Sequence, residues 1–72
     1  MAHEDDMQEA LDIIMDLVAN ACGMTDGTLD SQASGTNANA LEFLARHGKV
    51  VIDHDVGRRV MARWKPGAGE EA

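Results

Sequence analysis

From Asp5 or Asp6 to Cys22 the chain carries apolar residues at helical spacing, and their arc is too wide for a helix lying on one neighbour. At about 100° per residue, Met7, Leu11, Ile14, Val18, Ala21 and Cys22 share one side. Ile13, Met15 and Leu17 widen the arc beyond half the circumference, which leaves Asp5, Glu9, Asp12 and Asp16 on a narrow opposite stripe. A helix so widely apolar has to be covered on more than one side. In a chain of 72 residues with one Phe and one Trp, the internal core is aliphatic and small. Part of the cover is therefore expected from a second copy, in a homodimer formed through this first helix. Asp6 with Glu9 has the spacing of a capping box, and Gly23 suits the position just past the helix end.

Residues 23–36 (GMTDGTLDSQASGT) hold Gly, Ser, Thr and Asp without apolar periodicity, and read as a loop with one short turn at most. Thr36 or Asn37 then caps a second helix running to about His47, with Ala40, Leu41, Phe43, Leu44 and Ala45 as its apolar content and Gly48 as its stop. Beyond it, Val50-Val51-Ile52 and Val60-Met61-Ala62 flank Asp55-Val56-Gly57 and read as a hairpin. A three-residue loop with Gly57 left-handed pairs Ile52 with Val60 and Val50 with Ala62, and sets Asp53 opposite Arg59. A two-residue loop mixes the two faces and is rejected on that ground. Pro66 ends the second strand. The expected fold is α+β, ordered ααββ: one small domain over residues 1–66, with a flexible tail over 67–72. Its two-stranded antiparallel hairpin packs through Val50, Ile52, Val60, Ala62 and Trp64 against both helices.

Charge is segregated along the chain. All six Lys and Arg residues (Arg46, Lys49, Arg58, Arg59, Arg63, Lys65) fall between positions 46 and 65, whereas residues 1–45 hold nine carboxylates and no Lys or Arg; the net charge is −7. A merely solvated face usually interleaves both signs. The stripe of Asp5, Glu9, Asp12 and Asp16 recurs every three or four residues, an axial step of roughly 4.5 to 6 Å. That step is close to the spacing of phosphates along a nucleic-acid strand, so carboxylates so arrayed suit the Lys/Arg-lined groove of a nucleic-acid-binding protein.

Several chemistries are excluded or disfavoured. A lone Cys22 makes no internal disulfide and no cysteine-rich zinc site, and a reducing cytoplasm is the expected compartment. Glu4, Asp5 and Asp6 stand where an export signal needs Lys or Arg, and the apolar stretch from Ile13 to Gly23, broken by Asp16 and Asn20, is too short to span a bilayer. His3, His47 and His54 are scattered, and Asp53-His54-Asp55 alternate between faces of a strand, so neither a metal nor another cofactor is expected. Cys22 has no histidine near it in sequence and no Gly-rich phosphate loop follows a strand, so no enzyme activity is expected.

Two resemblances bear on function. Residues Ala40 to Trp64 (ALEFLARHGKVVIDHDVGRRVMARW) are similar to the helix-then-wing end of a winged-helix DNA-binding domain. That likeness implies phosphate or groove contacts from Arg58, Arg59, Arg63 and Lys65, against which the net charge of −7 acts. By overall character rather than by motif, the chain resembles the small acidic accessory proteins of phages and prophages, among them anti-CRISPR proteins and other host-takeover inhibitors. This implies a non-enzymatic inhibitor that occludes the nucleic-acid site or a subunit interface of a host complex; it assigns no residues, and the surface expected to act, from charge and spacing alone, is the stripe of Asp5, Glu9, Asp12 and Asp16. A DNA-binding regulator acting through the basic hairpin is the alternative, and a structural subunit whose opposite charges pair head to tail is a further one.

Overall fold

In the computed structural model, which describes residues 3–25, 27–57 and 59–66, two helices cover one face of a single antiparallel sheet. The order is α1 (His3–Ala21), β1 (Gly23–Thr25), β2 (Thr28–Asp30), α2 (Gly35–Arg46), β3 (Val50–Val56) and β4 (Arg59–Trp64). The strands lie in the order β1-β2-β4-β3, so the predicted two-stranded hairpin is the outer part of a larger sheet. Its central unit is β2-β4-β3, and the short β1 extends it at the β2 edge. Both β2 and β3 run antiparallel to β4, hence parallel to each other, with α2 as the connection between them.

The segment expected to be a loop supplies the two additional strands. α1 ends at Ala21, so Gly23 stands just past the helix as expected, but without a left-handed φ, and it opens β1; Gly27, at φ +80°, turns the chain so that Thr25 pairs with Thr28, Met24 with Leu29 and Gly23 with Asp30. The local signal is the Asp26-Gly27 dipeptide, a hairpin-turn sequence that the absence of apolar alternation hides. What holds β2 in place is distant: Thr28, Leu29 and Asp30 pair with Arg63, Ala62 and Met61 of β4. Leu29, fully buried, then joins Leu41, Leu44, Val60 and Ala62 in the core.

The β3/β4 register also differs from the expected one. Val56 pairs with Arg59, which leaves a two-residue turn begun by Gly57 (φ +64°); Arg58 lies outside the described residues. Carried inward without interruption, that turn would put Ile52 and Val50 on the wrong face. A bulge at Asp53 absorbs one residue between the pairs His54 with Met61 and Ile52 with Ala62, and Val50 then meets Trp64. The bulge thus returns Val50, Ile52, Ala62 and Trp64 to the helix side, the outcome for which the three-residue loop was preferred. Asp53 accordingly does not face Arg59.

Helix boundaries follow local chemistry with two corrections. α1 already includes His3, so Asp5, Asp6 and Glu9 lie within its early turns rather than forming a cap, where their charges still suit the positive end of the helix. Ser34 rather than Thr36 or Asn37 caps α2: its Oγ accepts from the Asn37 N–H at 3.3 Å. At the other end Gly48 takes φ +73°, its N–H donates to the Ala45 carbonyl at 3.1 Å, and the Lys49 N–H donates to the Leu44 carbonyl at 2.9 Å. That pair of bonds is a complete Schellman stop at the predicted glycine. α2 packs directly on β3 and β4 through Ala38, Leu41 and Leu44, and α1 packs on α2, with Leu11, Val18 and Cys22 reaching the common core. The helices are thus layered on the sheet, where sequence suggested both touching the hairpin alike. No helix of the described residues is long and apolar enough to cross a membrane.

The sheet and α2 are joined at one turn. The Ser31 N–H donates to the Val60 carbonyl and the Ser31 Oγ accepts from the Val60 N–H, both at 2.9 Å, so a fully buried hydroxyl continues the β2–β4 ladder where the backbone turns away. The Ser34 N–H closes the turn on the Ser31 carbonyl at 3.0 Å, which forces Gln32 and Ala33 to φ +57° and +65°. Each such residue costs on the order of 1–2 kcal/mol when it carries a Cβ. Ala33→Gly should therefore raise the unfolding free energy by about 0.5–1 kcal/mol, read as a higher urea midpoint, the opposite sign to Ala→Gly inside a helix or strand. Ser31→Ala leaves the buried Val60 N–H without its acceptor and should cost about 1–3 kcal/mol in the same denaturation; an unchanged midpoint would mean that Val60 finds another partner.

Candidate functional site

The four carboxylates of the acidic stripe lie on the outer side of α1. Among the described side chains Leu11 is the first buried one of that helix, and residues 5–10 are exposed throughout, so the turns carrying Asp5 and Glu9 project beyond the packed body. Asp12 and Asp16 continue the stripe and are exposed as well. Among the described residues none of the four carboxylates is in an ion pair. The Gln8 Nε2 donates to Asp12 Oδ1 at 3.0 Å, and the Asn20 Nδ2 donates to the Asp16 backbone carbonyl at 2.9 Å, contacts that leave the stripe's charge intact.

The basic residues are placed differently. Arg59 holds Asp30 with two nitrogens, Nε to Oδ1 at 2.9 Å and Nη2 to Oδ2. Arg63 holds Asp53 in the same forked way, Nε to Oδ2 at 2.7 Å and Nη2 to Oδ1 at 3.0 Å. Both pairs sit on the sheet face that the helices leave open, and both arginine side chains remain more than half exposed. Lys65 is exposed, with its N–H donating to the Lys49 carbonyl at 3.0 Å, and Arg58 is outside the described residues. Of the four cations singled out from sequence, two are therefore already matched by carboxylates of the same chain. A forked pair occupies the donors that a phosphate would need.

The same geometry sets the titration behaviour. The Arg59 hydrogen bonds first, then the Gln32 backbone N–H at 2.8 Å and the Arg59 charge, outweigh desolvation and hold the Asp30 carboxyl down to about 2. Asp53 is held below its ordinary value chiefly by the Arg63 hydrogen bonds, and both arginines are pushed up by their partners. Cys22, 5% exposed, has its thiol pushed up first by burial and then by the Asp30 charge, which disfavours the thiolate a nucleophile requires. Among the described residues no three of His, Cys, Asp and Glu come together in a metal-binding arrangement. His47 rests on Phe43, ring centroids 4.5 Å apart, and the Arg46 guanidinium lies 5.8 Å above the same ring, which makes these groups a packing cluster at the α2 terminus.

Sequence reasoning found the stripe and the basic hairpin but missed Asp30, whose partner is 29 residues away. It also paired Asp53 with the wrong arginine, because the bulge that aims it at Arg63 has no local signature. Because Asp30 is depressed in the folded state, its contribution is present above the ordinary carboxylate range and is lost as pH falls through about 4 toward about 2. Asp30→Asn should therefore be the less stable protein near pH 6, and should lose less of its urea midpoint than the parent on acidification to about pH 2.5. Equal acid sensitivity of the two proteins would show that this pair does not carry the dependence. Comparison of the chain with protein-family models, curated proteins and solved structures gave no match.

Proposed function

We propose that the chain is a non-enzymatic protein-binding module of the inhibitory kind, which sets the α1 stripe of Asp5, Glu9, Asp12 and Asp16 against a basic, nucleic-acid-binding surface of a partner protein. The observation that supports this reading is the unequal use of charge. The stripe's carboxylates stand exposed and outside any ion pair among the described residues, on a helix whose first turns project from the body. Arg59 and Arg63, in contrast, are consumed by Asp30 and Asp53. A net charge of −7 and the lack of Lys or Arg before Arg46 give long-range attraction to a basic groove and repulsion from free nucleic acid. The partner's Lys and Arg side chains would exchange phosphate for carboxylate without any catalytic step.

The test is affinity capture from the source cell's lysate with nuclease present, at low and high salt, using the parent chain and a variant with Asp5→Asn, Glu9→Gln, Asp12→Asn and Asp16→Asn. The expected result is a nuclease-resistant protein partner, released by salt and absent with the variant, whose far-UV circular dichroism matches the parent. Retention of the partner by the variant overturns the reading. Nucleic acid retained by the variant and lost on Arg58→Ala with Arg59→Ala would move the function to the hairpin.

A further inference from the structure

α1 has an apolar surface that its own fold leaves uncovered. Leu11, Val18 and Cys22 face the core, with Ile14 and Met15 packed against it, but Ile13 and Leu17 are 52% and 61% exposed. Ala10 and Ala21, also exposed, continue the line, so Ala10, Ile13, Leu17 and Ala21 recur at steps of three, four and four residues. Such a 3-4 progression is the seam along which one helix receives another, here about 16 Å long. Glu9 and Asp16 border the seam on the side away from the core, and Asp6 lies on the same line one turn nearer the N-terminus.

The charges decide which occupant suits the seam. In an antiparallel pair of two copies, the same edge of each helix meets its counterpart, so with the two seams fully overlapped the Asp16 side chains would confront each other near the two-fold axis with no Lys or Arg of α1 between. In a parallel pair the two Asp6 side chains would meet at the seam itself. Like charges so placed oppose association, whereas an apolar ridge flanked by Lys or Arg meets both the seam and its border. We propose that α1 docks one amphipathic helix of a basic partner protein, with Ile13 and Leu17 as the apolar anchors and Glu9, Asp16 and Asp6 reading the flanking cations. This rests on the reading that α1 is the partner-facing element, and it assigns the partner's contacting segment a secondary structure and a side-chain pattern.

The probe is a synthetic amphipathic peptide with Leu at steps of three and four and Lys along one flank. Two control peptides carry Glu in place of Lys, or Ser in place of Leu. Titration of the full chain is followed by amide chemical shifts and by anisotropy of the labelled peptide. The expected result is perturbation centred on Ala10, Ile13, Leu17 and Ala21, and at least about tenfold weaker binding with Ile13→Ser plus Leu17→Ser or with either control peptide. Both replaced side chains are exposed, so the variant should keep the parent's circular dichroism. Undiminished binding by the serine variant, or perturbation confined to another element, overturns the proposal. So does a dimer of the chain alone, seen by sedimentation equilibrium, that Leu17→Ser dissolves, since a second copy would then be the occupant. The two readings fail separately. If the four-carboxylate variant keeps the lysate partner while the serine variant loses the peptide, the charge reading falls and the seam stands. If the four-carboxylate variant loses the partner while the serine variant keeps the peptide, the seam falls and the stripe stands.

Discussion

Two hairpins become one sheet where Ser31 meets Val60. The hydroxyl and the amide of one residue satisfy both backbone groups of the other, and the remainder of the architecture is arranged around that contact. One residue earlier, Asp30 receives Arg59 from the adjoining strand and the Gln32 amide from the turn. Three residues later, Ser34 starts α2. A buried, unpaired Val60 amide would carry a desolvation cost comparable to the hydrogen bond itself, so the junction is held in one geometry. The two left-handed residues, Gln32 and Ala33, are tolerated because hydrogen bonds on both sides over-determine the turn.

That junction also governs where charge is available. Joining β2 to β4 brings Asp30 against Arg59, and the Asp53 bulge brings a second carboxylate against Arg63. Cations gathered in the second half of the sequence are in this way matched on the open sheet face, while the carboxylates of α1 lie on a different layer with no basic residue of their own segment near them. The charge asymmetry of the chain thus becomes an asymmetry of the surface. α1 packs on α2 rather than being wrapped by the sheet, so the outer half of its apolar arc stays uncovered beside those acids. An acidic border and an apolar line on the same helix are complementary to a basic amphipathic element.

Much of the local structure was readable from residues alone. α1 and α2 follow from apolar spacing, the Schellman stop from Gly48, and the β3/β4 hairpin from its β-branched runs around Gly57. The exposed position of Asp5, Glu9, Asp12 and Asp16 follows from the same spacing. β1 and β2 are hidden because three-residue strands are too short to show alternation, and β2, on which β1 pairs, is held by a strand more than thirty positions away. A two-residue loop that pairs Asp53 with Val60 mixes the faces; the turn found lies beyond Val56, pairs Asp55 with Val60, and keeps the faces sorted only through the bulge at Asp53.

The helices, the place of the last hairpin, the small aliphatic core and the separation of acidic from basic residues are legible in the linear chain, because each depends on residue type or on neighbours within a few positions. Strand order, register, the capture of Arg59 by Asp30 and of Arg63 by Asp53, and the uncovered side of α1 emerge from the folded arrangement. Those outcomes rest on contacts between distant residues, whose free energy is realised only after Leu29, Val60 and Ala62 have been buried together.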